Sequence, residues 1–195
     1  MGSVESTDAT VQYREVVAFL ESRSAGQVAH VARSLVEHLD GTYELLCSWG
    51  NTRDVCHAGL CHAAYGTDGF ATALLDVRTE RPMLADLIGA DAEALVYLYA
   101  SCDRAYLYPQ IGTVDHPSFR DRFTGATFVP GDEAFADFME LTFANELDMF
   151  HSDPVLVEQH QATWGVRFER SQRFVSEPAF AYFRQVFGGP ERRQL

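Results

Sequence analysis

Apolar residues recur at helical spacing along most of the chain. Val11, Val16, Val17, Phe19 and Leu20 predict a first helix between Thr10 and Glu21, and the polar stretch 1–9 before it reads as a frayed terminus. After a break at Ser22–Gly26, Val28, Val31, Leu35, Leu39, Leu45 and Leu46 recur three, four or seven apart and predict one long helix from about Ala25 to Trp49. Gly50-Asn51 stops it, and Thr52 is placed to cap a helix from Arg53 to Tyr65 that ends at Gly66. Residues 67–80 predict a turn or one short irregular strand. Pro82 suits the first turn of a short helix reaching Ile88, and Asp91 is placed to cap a helix from Ala92 to about Leu107. Residues 109–131 read as a loop. Helices resume over about Asp132–Phe150, Pro154–Arg170 and Glu177–Phe187, before a loose tail from residue 188.

Nothing in this pattern resembles successive alternating strands, an internal repeat or a linker. The expected class is all-α, a compact bundle of seven to eight helices in a single domain over residues 10–187. The 195 residues, 47% hydrophobic with 14 Phe, suffice for a large aromatic core.

The net charge of −13 disfavours nucleic acid and anionic membrane surfaces as partners. All 15 basic side chains are Arg, which reads as codon bias of a GC-rich bacterial genome. The lack of lysine excludes Schiff-base chemistry, a pyridoxal phosphate anchor and a P-loop lysine. Cys47, Cys56, Cys61 and Cys102 form no C-x-x-C pair, and no apolar run reaches the length of a membrane span. Free thiols in a reducing cytoplasm are the expectation.

Candidate chemistry centres on two stretches, HVARSLVEHLDGTYELLCSWG (30–50) and DVCHAGLCHAAYGTDGF (54–70), and on EALVYLYASCDRAYLYP (93–109). His38 falls mid-helix, His62 closes an apolar helix, and Asp103 interrupts a later apolar run. This order resembles the HD-domain superfamily, in which one His, then a His-Asp pair, then a final Asp hold metal ions. "EHLDGTYELL" is similar to the helix of the first His, "AGLCHAAYG" to the helix that ends in the pair, and "YASCDR" to the segment of the last Asp. The resemblance covers roughly residues 28–108. It departs from the pattern at Ala63, where the Asp of the pair would stand, which removes one ligand of a two-metal centre.

What the resemblance implies is a mononuclear site of His38, His62 and Asp103, holding one divalent transition metal: Fe(II) first, then Mn, Co or Zn. His30, eight residues before His38 and about 80° round a shared helix, would supply a further ligand or an acid/base group. Tyr65 would donate at the pocket mouth with Thr67. The function expected on this basis is a metal-dependent enzyme acting on a small organic substrate, of oxygenase or lyase type. The alternatives are a degenerate HD-type phosphohydrolase and a non-catalytic ligand- or partner-binding protein. His57 is expected to be structural. His116, His151 and His160 are expected at the surface, as is the face carrying Glu146 and Asp148, with a place for Glu146 in the site as the alternative. A homodimer is the base-rate expectation.

Overall fold

The computed structural model describes the backbone of residues 2–30 and 33–188, and side chains from residue 11 onward except those of His30 and Pro154. It is an all-α bundle. In chain order the helices are α1 (Gly2–Ser22), α2 (Leu35–Ser48), α3 (Arg53–Cys61), α4 (Arg81–Ile88), α5 (Ala90–Ser101), α6 (Arg104–Leu107), α7 (Asp132–Ser152), α8 (Pro154–His160), α9 (Val166–Arg170) and α10 (Glu177–Phe187). Two short antiparallel hairpins accompany them. One pairs β1 (Ala29–His30) with β2 (Arg33–Ser34), the other β3 (Phe119–Arg120) with β4 (Thr127–Phe128). No helix among the described residues is long and apolar enough to cross a membrane.

Helix α7 is the hub, packing against α2, α3, α5, α8 and α10. Every residue from Phe138 to Asp148 on it is buried, polar ones included. A helix walled in all round has no solvent face, so the amphipathic reading of this stretch fails. Its acidic residues are paired instead. Glu140 accepts from Asn51 Nδ2 at 3.0 Å and from the Ser176 backbone N–H, fastening the α2–α3 turn and the start of α10 to the hub.

Four expected boundaries move. The expected 25–49 helix is two elements, with a turn and the β1–β2 hairpin before α2. Ser34 ends that hairpin and caps α2 through a reciprocal box with Glu37, a Ser-x-x-Glu signal in the sequence. His30 and His38 therefore share no helix. The expected 92–107 helix stops at Ser101, because the 120–122 segment pairs across it: Asp103 N–H donates to Arg120 C=O and Arg122 N–H to Ser101 C=O. The expected 154–170 helix is split by a wide π-type turn over Gln161–Gly165. At the other end, α1 already begins at Gly2, ahead of the expected start at Thr10. The Thr52 cap of α3, the Pro82 start of α4 and the span of α10 are as expected.

Candidate functional site

Helix α2 crosses the hub with His38 fully buried beneath it. His38 Nδ1 donates to Asp148 Oδ2 at 2.6 Å, and Arg33, at the end of the hairpin, pairs with the same carboxylate. Arg33 is lowered from its ordinary value by burial, opposed by Glu37 and Asp40. Gly41 makes the crossing possible, since a Cβ there would overlap the Asp148 carboxylate. The Nε2 of His38 lies 3.0 Å from Asn145 Oδ1, while Asn145 Nδ2 donates to Glu146 Oε1 at 3.1 Å. In this orientation of the amide, His38 donates from both ring nitrogens.

His62 is the C-cap of α3 and is also buried. Its Nδ1 donates to the Gly59 carbonyl at 2.7 Å. Its ring stands edge-on to His38, 5.1 Å between centroids, and edge-on to Tyr99 at 5.6 Å. Glu146 closes the cluster. It accepts from Arg104 Nη1 at 3.2 Å, and Arg104 Nη2 donates to Tyr99 Oη at 3.0 Å. Burial raises the Glu146 carboxyl above its ordinary value, against the pull of Arg104, Arg167 and Asn145. Burial works against the Arg104 charge as well, but Tyr99, Tyr108 and Glu146 more than offset it.

A cavity of about 490 Å³ opens on this cluster. His62, Arg104, Asn145 and Glu146 line one end, and Met149, Phe150, Leu156 and Trp164 form much of the apolar wall. The arrangement sets an imidazole, a carboxyl raised by its burial, and a guanidinium around one end of a space sized for a small molecule.

The structure thus brings His38 and His62 together, and it does not bring Asp103 to them. The Asp103 carboxylate caps α6 through Tyr106 N–H at 2.9 Å and pairs with Arg120 at 2.6 Å, which together hold it below its ordinary value. Among the described residues no three His, Cys, Asp or Glu side chains converge as a metal site. Tyr65 is buried away from the cavity. Its hydroxyl donates to Glu93 Oε1 at 2.8 Å, and Arg81 holds the same carboxylate at 2.6 and 2.7 Å. The backbone of His30 ends β1, but its side chain lies outside the described residues. His57 is buried against Tyr43.

Glu146 and Asp148, expected on a solvated face, are buried at the centre. Arg104 and Asn145 carried no sequence signal beyond their neighbourhood. The available hint for α7 was the density of Phe, Leu and Met on all sides of its acidic residues.

Residues 19–104 match a family described as a domain of unknown function, DUF6817. The match takes in His38 and His62, ends on Arg104 and stops short of α7. The chain is also similar to the ATP-dependent DNA helicase RecG of Mycobacterium leprae (strain TN), 32% identical over 111 residues, which is 47% of this chain and 14% of the helicase. With so small a share of the helicase spanned, its activity is not carried to this chain. No solved structure matches.

Proposed function

We propose that the chain is an enzyme that acts on a small organic substrate held in the cavity above His62. The observation that supports this most is the concentration of four polar side chains, His62, Arg104, Asn145 and Glu146, at one end of an otherwise apolar hollow. In this reading Nε2 of His62 accepts a proton from the substrate and the Glu146 carboxyl returns one, so the pair works at opposite ends of a proton transfer. Asn145 couples Glu146 to His38, and Asp148 with Arg33 holds His38 in place. Arg104 stabilises negative charge that develops on the substrate.

The test is a screen of small metabolites for turnover by mass spectrometry, with His62→Gln and Glu146→Gln beside the wild type. Consumption of a compound by the wild type, abolished in both variants while they remain folded, is the expected result. Turnover that survives both substitutions sinks the proposal, and binding without turnover makes this a binding protein.

One observation favours a metal-dependent form of the same reading, as the HD-type resemblance implies. His62 donates from Nδ1 to a backbone carbonyl, the arrangement that orients a metal-bound imidazole through Nε2. Elemental analysis of the wild type beside a His38→Ala/His62→Ala double variant decides it. About one equivalent of Fe, Mn, Co or Zn in the wild type alone supports a metal, and equal content in both ends that form.

A further inference from the structure

A groove of about 790 Å³ shares no lining residue with the cavity above His62. Residues of α3, α5 and α7 and of the β3–β4 hairpin border it. Its apolar surface includes Val55, Leu95 and Leu98, and at the hairpin end Phe128 and Val129, which remain 42% and 57% exposed.

Five carboxylates line the same groove: Asp54, Asp91, Asp121, Glu133 and Asp137. The one cation in the lining, Arg81, is already matched. Its guanidinium donates to both oxygens of Glu93, at 2.6 and 2.7 Å, and stacks on the Tyr97 ring at 3.8 Å. Asp54, Asp91 and Glu133 stand in the first turns of α3, α5 and α7, where the helix dipole favours an acid and accounts for them without a ligand. Asp121 is also provided for. Burial opposes its charge, but hydrogen bonds from Tyr97 Oη and from the Phe123 and Thr124 N–H groups more than offset that and hold it below its ordinary value.

Asp137 has no such support. It lies one turn beyond Glu133 on α7, is half-buried, and makes no hydrogen bond or ion pair among the described residues. Burial, then Glu133 and Glu140, raises its carboxyl above the ordinary value. A cation entering the groove would supply the partner that the described residues do not. Among those residues the carboxylates do not converge in threes as ligands of a metal ion do, and much of the space between them is apolar. That combination suits a cation carried on an apolar body, and the volume is that of a small-molecule site. A second copy of the chain, with its charge of −13, would be repelled.

We propose that this groove is a second ligand site and that it takes a small organic amine, its ammonium group beside Asp137 and Glu133 and its apolar body along Leu95, Leu98 and Phe128. The site is independent of the cavity above His62.

The experiment uses the full chain and follows binding by calorimetry. The probes are hexylamine and phenethylamine, their neutral counterparts hexanol and phenethyl alcohol, and methylamine as a cation without a body. The amines are expected to bind about tenfold or more tightly than the alcohols, the scale of one charge-assisted hydrogen bond, and to weaken as salt is added. Asp137→Asn should remove most of that preference and leave alcohol binding unchanged. It discharges a raised carboxyl, so the melting temperature should not fall, which separates lost recognition from lost folding. Ala134 is exposed and lines the groove, so Ala134→Trp should fill it and abolish binding of amines and alcohols alike. Amines and alcohols binding equally well to the wild type would overturn the cation assignment. Methylamine binding as tightly as hexylamine would overturn the apolar body. Amine affinity unchanged in Ala134→Trp would place the site elsewhere and overturn the proposal. So would a wild type that binds none of these probes but takes up a short leucine–lysine peptide, since the groove would then be a docking surface for a basic protein segment.

Discussion

His38 and Asp148 lie 110 residues apart in sequence and meet in a buried hydrogen bond of 2.6 Å. That bond ties the first half of the chain to the hub helix. Asp148→Asn leaves His38 and Arg33 without their anion inside the protein, a loss of about 3 to 5 kcal/mol for a broken buried pair. Urea unfolding should show that loss as a lower midpoint with little change in slope. A variant as stable as the wild type would mean that the pair is not formed.

Gly41 is predicted to be intolerant for the same reason. A Cβ there meets a carboxylate pinned by His38 and Arg33, which cannot swing away. At Gly59 the obstacle is the tip of Leu46, which can rotate. Gly41→Ala should therefore cost about 2 kcal/mol or more, and Gly59→Ala less, in parallel thermal melts. The reverse order would show that α2 can shift to relieve the crossing.

The Glu146 carboxyl gives stability a pH dependence of known sign. A carboxyl group raised in the folded state takes up protons that the unfolded chain does not. Its contribution is therefore complete below the ordinary glutamate value and is lost as pH rises through the raised one. Glu146→Gln mimics the protonated form. Its stability relative to the wild type should increase from about pH 4 to about pH 8. A constant difference in urea midpoint over that range would contradict the burial that raises this group.

Tyr65 directly follows the His62 segment, yet its hydroxyl serves the Arg81–Glu93 pair and not the cavity. Tyr65→Phe should lower stability by about 1 kcal/mol and leave turnover at the cavity unchanged. Loss of turnover with stability intact would return Tyr65 to the site.

The four thiols should differ sharply in reactivity. A hydrogen bond from the Cys56 thiol, helped by Tyr43, brings Cys47 down to about 7, and Cys47 is exposed. Burial pushes Cys61 and Cys102 up to about 12. Alkylation of the native protein near neutral pH should modify Cys47 alone, and Cys56→Ala should slow it. Peptide mapping that finds Cys61 or Cys102 labelled as quickly would refute this ordering.

The helical class and much of the helix succession were legible from periodicity, whereas the grouping of His38 with His62, whose rings lie 5.1 Å apart, came only from the HD-type resemblance. Capping residues at Thr52 and proline at 82 worked because such signals are local. The errors share one cause. Cys102 and Asp103 read as helix because their break is imposed by a hairpin some twenty residues downstream, and nothing at Asp103 itself announces Arg120. Glu146 and Asp148 read as surface because charge normally faces water, and a helix enclosed on every side removes that choice. The carboxylate that does meet His38 is Asp148 of α7, beyond the stretch that carries the resemblance.

The enclosure of α7 also governs how anything reaches the cavity. A helix that is gripped on all sides cannot be peeled back to admit a ligand. The doorway must be cut from the irregular rim, where Gly69 and His160 are exposed and Phe70, Leu156 and Trp164 are partly so. Two of these five flank or lie within the π-type turn, a stretch of backbone whose hydrogen-bond ladder is already loosened. Under the proposed function, entry and exit would be timed by the rim, while His62, Arg104 and Glu146 stay still.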